Sequence, residues 1–321
     1  MNEFNTLTNI LKGYKNILIM AHKNIDIDAF SSCLAFHEIL DKMGINNKVY
    51  FNDDNLDIVI KKVLVNYSDK DCLTDDIDGN YDLLAILDLN RKELLENEEA
   101  LNKIEDKLII DHHIKGIGSI ESKYEFADSK YSSVAEIITL YLKNTNILLS
   151  KDIYTYLLSG IEIDTNGFSV RVSANTFYAC AYLLEQGADL VIKQELLKEN
   201  KIEHLKQQLF IRKSFTYNNK YMICVLDDKV YEKKYLATIS EELLQFEGIE
   251  ASFTIGYIDE NIIGISARSI GNIDVEQLMA KLNGGGHKTT AATQFVNSSL
   301  EEVKQKLISI LGGEWYESNF Y

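Results

Sequence analysis

The triplet Asp111-His112-His113 stands directly after the apolar run KLII at residues 107–110. The chain contains only six histidines, so two adjacent ones after an aspartate are a notable concentration of ligand groups. Imidazole together with carboxylate suits Mn²⁺, Fe²⁺, Co²⁺ or Zn²⁺. The triplet therefore indicates a metal site, although a surface turn would also explain it.

Further polar side chains follow other apolar runs. His22, Asp26 and Asp28 lie in a loop after a short buried strand, Asp88 follows another strand, and Asp164 follows a helical pattern. Each aspartate also has an ordinary explanation. Asp28 would cap the helix that follows it, and Asp88 and Asp164 would lie in turns.

Taken together, these positions favour metal binding. Four Asp carboxylates that converge without counter-charge would raise each other's pKa. Two divalent cations would balance the four negative charges of Asp26, Asp28, Asp88 and Asp164. Such an arrangement is typical of two-metal hydrolases, in which the ions activate water and stabilise charge on phosphorus.

Alternating apolar and helical patterns position these residues. Strands are predicted at 16–21, 47–51, 82–87 and 107–110, and helices at 29–43, 132–144, 151–161 and 175–186. Strands that alternate with helices predict an α/β domain with a doubly wound, mainly parallel sheet. Ligands bind at the carboxyl ends of the strands in such sheets, which is where the polar clusters fall.

A length of 321 residues predicts two domains, each with its own core. The pattern divides the chain into an N-terminal domain at 1–190, a helical linker at 191–213 and a smaller α+β domain at 214–321. In the smaller domain, strands are predicted at 221–226, 251–258 and 261–268, and helices at 233–245, 274–282 and 299–311.

Two segments of the smaller domain carry groups that could bind an anion. Arg268 and the neighbouring Ser269 end a predicted strand, and an Arg could hold a phosphate bidentately. Gly284–Gly286 would let the backbone approach a ligand, with His287 beside them. A flexible turn explains the glycines equally well, and Arg268 could be a surface residue on an edge strand.

Composition narrows the class of function. The net charge of −16 excludes a role in coating long DNA or RNA, but a small phosphate ester remains compatible with a bound cation. The four cysteines show no CxxC spacing, so they predict neither a zinc site nor a disulfide framework. With no signal peptide and no apolar run of about 18 residues, we expect a cytoplasmic protein without a membrane span.

At this point the motifs resemble those of the DHH/DHHA1 phosphoesterase family. The segments AHKNIDIDAFSS, LDLN, DHH and GIEIDTNGFSVRVSANTF resemble its four metal-site motifs. ISARSIGNIDVEQLMAKLNGGGHKTTAATQF resembles its DHHA1 substrate-binding segment. The resemblance covers nearly the whole chain and implies an N-terminal DHH domain followed by a DHHA1 domain.

The resemblance also implies a role for each matching residue. Two Mn²⁺ ions are expected, with Mg²⁺ or Co²⁺ as possible substitutes. The implied ligands are His22 and Asp26 for one ion, Asp28, His112 and Asp164 for the other, and Asp88 as the bridge.

Further residues carry implied roles in catalysis and recognition. Asp111 would orient a ligand, and His113 would face the scissile phosphate. Arg268 and the Gly284–Gly286 backbone with His287 would hold the substrate's other phosphate or a base.

The sequence departs from the family at two positions. Asn24 stands where family members usually have Pro, which leaves the first metal loop less fixed in φ. Asn283 stands where a further Gly is usual. Since Asn tolerates the left-handed region, we expect that turn to survive.

Within the family, the fourth motif and the DHHA1 segment are most similar to the catalytic part of GdpP-type cyclic-di-AMP phosphodiesterases. We therefore expect a free-standing module that hydrolyses a small adenine dinucleotide in a cleft too narrow for duplex DNA, with a homodimer as a family-level expectation. Oligoribonucleases that also dephosphorylate 3′-phosphoadenosine 5′-phosphate are the first alternative. A cyclic-dinucleotide sensor without catalysis is the second.

Overall fold

A computed structural model describes residues 3–52, 56–116, 118–198 and 200–312. The chain divides into two units, Met1–Lys198 and Glu199–Tyr321. The division falls inside the segment predicted as a helical linker, whose described residues belong to the helices Leu190–Leu197 and Lys201–Lys213. The part of the predicted second domain beyond residue 312 lies outside the described residues.

The first unit is built on a parallel sheet. Six strands pair in its described residues: β1 (Asn16–Met20), β2 (Asn46–Tyr50), β3 (Leu73–Thr74), β4 (Leu83–Leu87), β5 (Lys107–Asp111) and β6 (Tyr124–Ala127). Their order is β3-β2-β1-β4-β5-β6, and all pairings are parallel. The predicted doubly wound parallel sheet is therefore confirmed, and the strand order reverses between β1 and β4.

Apolar residues on both faces of this sheet are buried. In β1, Ile17 and Ile19 belong to the core on one face, and Leu18 and Met20 belong to the core on the other. This continuous apolar pattern is typical of a parallel strand covered on both sides. The helices of the unit are α1 (Glu3–Leu11), α2 (Ile27–Lys42), α3 (Ile58–Asn66), α4 (Ala100–Lys103), α5 (Val134–Thr145), α6 (Lys151–Asp164), α7 (Ala174–Glu185) and α8 (Leu190–Leu197).

The start of α2 corrects one expectation. The helix begins at Ile27, and its N-cap is Asp26, whose side chain accepts a hydrogen bond from Ala29 N at 3.0 Å. Asp28 therefore lies in the first turn instead of capping the helix. Its carboxylate is free for a different contact, described below.

The second unit has a mixed sheet, as the α+β prediction requires. Its strands are β7 (Phe215–Tyr217), β8 (Tyr221–Val230), β9 (Ala251–Asp259), β10 (Ile262–Ser269), β11 (Gly285–His287) and β12 (Thr290–Val296). The order is β11-β12-β10-β9-β8-β7, with only β8 and β9 parallel among the described strands. Since β10 lies between β12 and β9, the interpretation of Arg268 as an edge-strand residue is wrong.

Four helices belong to the second unit in the described residues: α9 (Lys201–Lys213), α10 (Lys233–Leu243), α11 (Val275–Ala280) and α12 (Leu300–Ile310). None of the helices in the described ranges combines the length and the apolarity that a bilayer span requires. All four cysteines are buried and unpaired, in agreement with the absence of a disulfide framework.

Candidate metal centre

The reversal of strand order brings the candidate ligands together. His22 follows β1, Asp88 follows β4, and His112 follows β5. Because parallel strands end at the same edge of a sheet, these side chains share one edge. In doubly wound folds this point, where the strand order reverses, is the usual ligand site.

One group of ligands contains His22, Asp26 and Asp88, and one ligand atom of each lies within 4.8 Å of the others. His22 Nε2 is 3.9 Å from Asp26 Oδ1 and 3.5 Å from Asp88 Oδ2. The other ring nitrogen of His22 is 2.8 Å from Lys23 O. Since a carbonyl only accepts, Nδ1 carries a proton, and Nε2 is the ring nitrogen that faces the carboxylates and would bind an ion.

A second group contains Asp28, His112 and Asp164, again within 4.8 Å of one another. His112 Nε2 is 3.3 Å from Asp164 Oδ2, and Asp164 is the last residue of α6. Asp28 is fully buried, and its two oxygens accept hydrogen bonds from Val134 N and Ala135 N, both at 2.8 Å. The first turn of α5 therefore fixes the position of this carboxylate.

Asp88 lies between the two groups. Its Oδ2 faces His22, and its Oδ1 is 3.2 Å from His112 Nε2. Asp88 has φ of +61°, a left-handed conformation that is uncommon for residues other than Gly, although Asn and Asp adopt it more often than most. Strain of this kind is common at functional sites, and here it turns the carboxylate toward both histidines.

Two buried atoms at this position lack hydrogen bonds. Among the described residues, Asp88 Oδ1 and His112 Nε2 are both buried and without a hydrogen-bond partner. Buried polar atoms are normally satisfied, so each unsatisfied atom requires a physical reason. A divalent cation coordinated by both atoms supplies one, and the donor set of imidazoles and carboxylates fits such an ion.

The acidic groups repel one another in the absence of cations. Burial, followed by the charges of Asp26 and Asp88, raises the pKa of Asp164 to about 7. Burial, followed by the charges of Asp164 and Asp88, holds the pKa of Asp28 well above its ordinary value. Because both carboxyl groups have raised pKa values, a nearby positive charge would stabilise their ionised forms.

Other groups of the site are instead stabilised in their charged forms. Burial works against a charged His22, but hydrogen bonding to Asp88 and the charges of Asp26 and Asp88 outweigh it and raise its pKa to about 9. Burial also works against ionised Asp88, but its close contacts with His112 and His22 outweigh burial and lower its pKa. In the metal-free site, a proton on His22 thus provides part of the positive charge that the site needs.

Asp111 is buried and hydrogen-bonded on both oxygens. Oδ1 accepts from His112 N at 2.9 Å, His113 N at 3.2 Å and His113 Nδ1 at 2.8 Å. Oδ2 accepts from Asn90 Nδ2 at 2.6 Å. With both oxygens satisfied, Asp111 orients the two histidines and is not placed to bind an ion.

His113 differs from its neighbour by being half-exposed. Its side chain is 51% accessible, whereas that of His112 is 1% accessible. Because Asp111 holds Nδ1, Nε2 is the ring nitrogen left to contact a ligand. Burial works against a charged His113, but the hydrogen bond to Asp111 and the charges of Asp88 and Asp111 outweigh burial and raise the pKa of this imidazole.

The other candidate site residues lie in the second unit, where a cavity of about 440 Å³ is lined by Arg268, Gly285, Gly286 and His287 among other residues. This volume lies in the range of small-molecule sites, roughly 300–1,000 Å³. Arg268 Nε donates to Glu241 Oε1 at 3.0 Å, and Nη1 donates to Ser266 Oγ at 3.2 Å. The guanidinium is therefore held at the cavity wall.

Two of the predicted contacts take other roles in the described structure. Gly284 N donates to Met279 O at 2.8 Å, so this N–H does not point at an anion as expected. Ser269 Oγ donates to Ile273 O at 2.7 Å and braces the end of β10.

A close approach of chains explains why Gly occupies position 284. A Cβ there would lie 2.3 Å from Ala292 O, so β12 approaches too closely for any larger residue. Asn283 has φ of +59°, as expected for a turn in which Asn replaces Gly. Asn24 has φ of +54°, which a proline ring cannot adopt, so this loop takes a backbone that the family's usual Pro would exclude.

Comparison with known proteins identifies two domains. A model described as "DHH family, N-terminal domain" matches residues 16–161, and a DHHA1 domain model matches residues 218–313. The chain therefore contains a DHH domain followed by a DHHA1 domain. The match includes every candidate ligand except Asp164, and the second model includes the cavity residues from Arg268 to His287.

A curated relative supports the same assignment. Cyclic-di-AMP phosphodiesterase GdpP of Bacillus subtilis is 29% identical over 316 residues, which are 94% of this chain and 48% of that protein. The chain thus spans about half the length of the curated relatives it matches first.

Two crystal structures show the fold. An exopolyphosphatase-related protein from Bacteroides fragilis has a TM-score of 0.78 at 20% identity, covering 95% of each chain. Exonuclease RecJ bound to manganese has a TM-score of 0.54 at 12% identity, covering 97% of this chain and 94% of that one.

The DHH centre also includes residues that the sequence analysis did not name. Asn90 holds Asp111, and Arg171 Nη2 donates to Asp164 O at 2.6 Å. Arg171 Nη2 also lies 3.7 Å from Asp164 Oδ2. Asn90 stands in the LDLN motif, two residues after Asp88, which was an available signal.

Arg171 also stands in a quoted motif, GIEIDTNGFSVRVSANTF, but its spacing of seven residues from Asp164 did not indicate a contact. The backbone is left-handed at Asn166, Gly167, Phe168 and Arg171, and these turns return Arg171 to the end of α6. Residue spacing alone does not reveal such a path.

Proposed function

We propose that this chain is a two-metal phosphodiesterase that hydrolyses a small cyclic dinucleotide, cyclic-di-AMP, to linear pApA, AMP or both. One observation mainly supports this proposal. Six potential ligand side chains meet, and two of their buried atoms, Asp88 Oδ1 and His112 Nε2, have no hydrogen-bond partner. The choice of substrate is supported by the similarity to GdpP of Bacillus subtilis, a cyclic-di-AMP phosphodiesterase.

In the proposed centre, His22, Asp26 and Asp88 would hold one Mn²⁺, and Asp28, His112 and Asp164 would hold the other, with Asp88 contributing to both. Bound there, two divalent ions supply Lewis acidity and make water nucleophilic near neutral pH. The chain's contribution is placement, since α5 fixes Asp28 and Lys23 O fixes the His22 tautomer. The manganese in the RecJ structure supports the choice of ion.

His113 has the properties of a donor to the substrate. Asp111 holds its Nδ1, and the raised pKa favours a protonated ring in which Nε2–H remains available to a ligand. We assign it to a phosphate oxygen or to the departing ribose oxygen, which must gain a proton as the P–O bond breaks. Asp111 and Asn90 act as positioning residues for this imidazole.

The DHHA1 cavity is assigned to recognition of the rest of the substrate. Arg268 supplies a fixed positive charge, and Gly285, Gly286 and His287 line the same cavity. Glu241 and Ser266 hold the guanidinium before a ligand arrives, which reduces the entropy lost on binding. A phosphate or a base of a dinucleotide fits this combination of charge and size.

A substrate panel tests the proposal. The full chain with Mn²⁺ is incubated with cyclic-di-AMP, pApA, cyclic-di-GMP and 3′-phosphoadenosine 5′-phosphate, and products are resolved over time. We expect cyclic-di-AMP to give pApA or AMP, and Asp164→Ala to be inactive. Absence of turnover of both cyclic-di-AMP and pApA would overturn the assignment.

Two other outcomes would replace it with a defined alternative. Cleavage of only short oligoribonucleotides and the bisphosphate nucleotide would establish an oligoribonuclease and phosphatase instead. Tight binding of cyclic-di-AMP without cleavage in Mn²⁺, Mg²⁺ and Co²⁺ would establish a sensor.

A further inference from the structure

A second histidine–carboxylate cluster lies further along α2. We propose that His37, Asp41 and Asp69 bind one divalent transition-metal ion, Zn²⁺, Co²⁺ or Ni²⁺, at a site separate from the DHH centre. One ligand atom of each residue lies within 4.8 Å of the others. Because an α-helix rises about 1.5 Å per residue, His37 lies roughly 16 Å along α2 from Asp26, so the two sites do not share ligands.

Helix geometry places two of the ligands on one face. His37 and Asp41 are four residues apart on α2, a spacing at which side chains are neighbours. His37 Nε2 is 3.5 Å from Asp41 Oδ2. The imidazole is 5% accessible and the carboxylate 52% accessible, so the pair runs from the core to the surface.

Asn47 fixes the tautomer of His37. Asn47 Nδ2 donates to Asp41 Oδ1 at 3.0 Å and to Ile45 O at 3.1 Å, which identifies the other amide atom as the oxygen. That oxygen lies 2.6 Å from His37 Nδ1. Nδ1 must therefore carry a proton, and in the neutral ring Nε2 is left with its lone pair. Histidines that bind metals are usually held in this way through their other nitrogen.

The lone pair of Nε2 faces two carboxylates. Asp69 Oδ2 is 3.1 Å away and Asp41 Oδ2 is 3.5 Å away. Asp69 precedes the short 3-10 helix Lys70–Cys72, yet its side chain makes no capping hydrogen bond. Its carboxylate is directed to His37 instead. With the neutral ring, three acceptors meet around one point, and a cation bound between them would satisfy all three.

The spacing fits a metal ion. With bonds of about 2.0–2.2 Å, ligand atoms of a tetrahedral ion lie roughly 3.3–3.6 Å apart. Of the two separations from Nε2, the one to Asp41 is 3.5 Å and lies in this range, and the one to Asp69 is 3.1 Å and is slightly shorter. One imidazole and two carboxylates suit the ions named above.

The surroundings leave space for the remaining ligands. His37, Asp41 and Asp69 line a cavity of about 510 Å³, together with Lys48, Asp71 and other residues. Water in this cavity can complete the coordination. Lys48 Nζ donates to Asp71 O, so its charge is directed to a backbone carbonyl.

The competing interpretation is a proton in place of the metal. A doubly protonated His37 would form hydrogen-bonded ion pairs with the two carboxylates and would need no ion. The metal interpretation predicts one more bound ion per chain than the proton interpretation. This number can be measured whether or not the DHH centre hydrolyses a substrate.

The experiment measures metal stoichiometry in the full chain. Chelator-treated protein is dialysed against Co²⁺ or Zn²⁺ alone, and bound metal is measured by elemental analysis and by the visible absorption of Co²⁺. We expect Asp69→Asn and His37→Gln to bind one equivalent fewer than the wild type at concentrations that saturate it, or to bind that equivalent at least about tenfold more weakly. Mn²⁺-supported hydrolysis by Asp69→Asn should equal that of the wild type.

Asp71→Asn is the matched control, since it removes a carboxylate from the same cavity without touching the three ligands. It should bind as much metal as the wild type. Identical binding by the wild type, Asp69→Asn and His37→Gln would overturn the proposal in favour of the proton. Because Asp69 is half-exposed, Asp69→Asn decides the question even if His37→Gln does not fold. Loss of hydrolysis along with the metal in Asp69→Asn would show that the site is not separate.

Discussion

The metal centre and the DHHA1 cavity are both polar, but their polar groups are satisfied differently. At the centre, Asp88 Oδ1 and His112 Nε2 are buried without hydrogen bonds, and the neighbouring carboxyl groups repel one another. At the cavity, Glu241 and Ser266 already hold Arg268. The centre is therefore destabilised until cations bind, whereas the cavity is stable before its ligand arrives.

The difference shows that function lowers stability at the metal centre and not at the cavity. In the proposed two-metal centre, side chains that surround the cations cannot also satisfy one another. Recognition groups can be held by neighbours that stay in place when the substrate binds. Substitutions in the two regions should therefore change stability and activity in different combinations.

The largest expected effect is that of Asp164→Asn. We expect hydrolysis to fall roughly 10⁴-fold, because several kcal/mol of metal-dependent stabilisation are lost at about 1.4 kcal/mol per tenfold. The metal-free protein should become more stable by about 1 kcal/mol, a rise in Tm of a few degrees, because one buried negative charge is removed. Turnover assays and thermal unfolding in chelator measure the two quantities.

Asp152→Asn, at the exposed start of the same helix, is the matched control for this substitution. It makes the same change of charge away from the centre and should leave turnover intact without raising Tm. If Asp164→Asn lowers the Tm of the metal-free protein, repulsion among the carboxylates is not what distinguishes the centre from the cavity.

The next effect is that of His113→Gln. Loss of the proposed donor should lower kcat by roughly 10²-fold or more, the usual contribution of general acid catalysis. Manganese stoichiometry should be unchanged, because Asp111 holds the ring nitrogen nearest the other ligands. Steady-state kinetics and metal analysis together test this split, and the loss of one manganese would instead make His113 a ligand.

The position of the centre could be predicted from the sequence because its physical cause is local. Apolar runs end at His22, Asp88 and Asp111, and the parallel pattern requires that such ends meet at one edge. The second sheet was predicted less completely. Strand β12 (Thr290–Val296) alternates buried and exposed residues and contains several small side chains, so no apolar run indicated it.

Contacts between distant segments could not be predicted. The spacing of Asp26 and Asp28 allows either to cap α2, and the choice depends on α5, whose N–H groups bind Asp28. The tether from Arg171 to Asp164 depends on a run of left-handed residues. The His37 cluster joins α2, β2 and the Asp69 loop, which no single motif contains.

The smallest of the three effects is expected at the cavity, from Arg268→Lys. The charge remains, but the planar donor set that Glu241 and Ser266 orient is lost. We expect KM for cyclic-di-AMP to rise about tenfold, equivalent to about 1.4 kcal/mol, with kcat and metal binding within about twofold of the wild type. Arg212→Lys on the exposed side of α9 is the matched control and should change neither constant. A fall in kcat with KM unchanged would mean that Arg268 acts in the chemical step, and the division between a metal centre that reacts and a cavity that recognises would then be wrong.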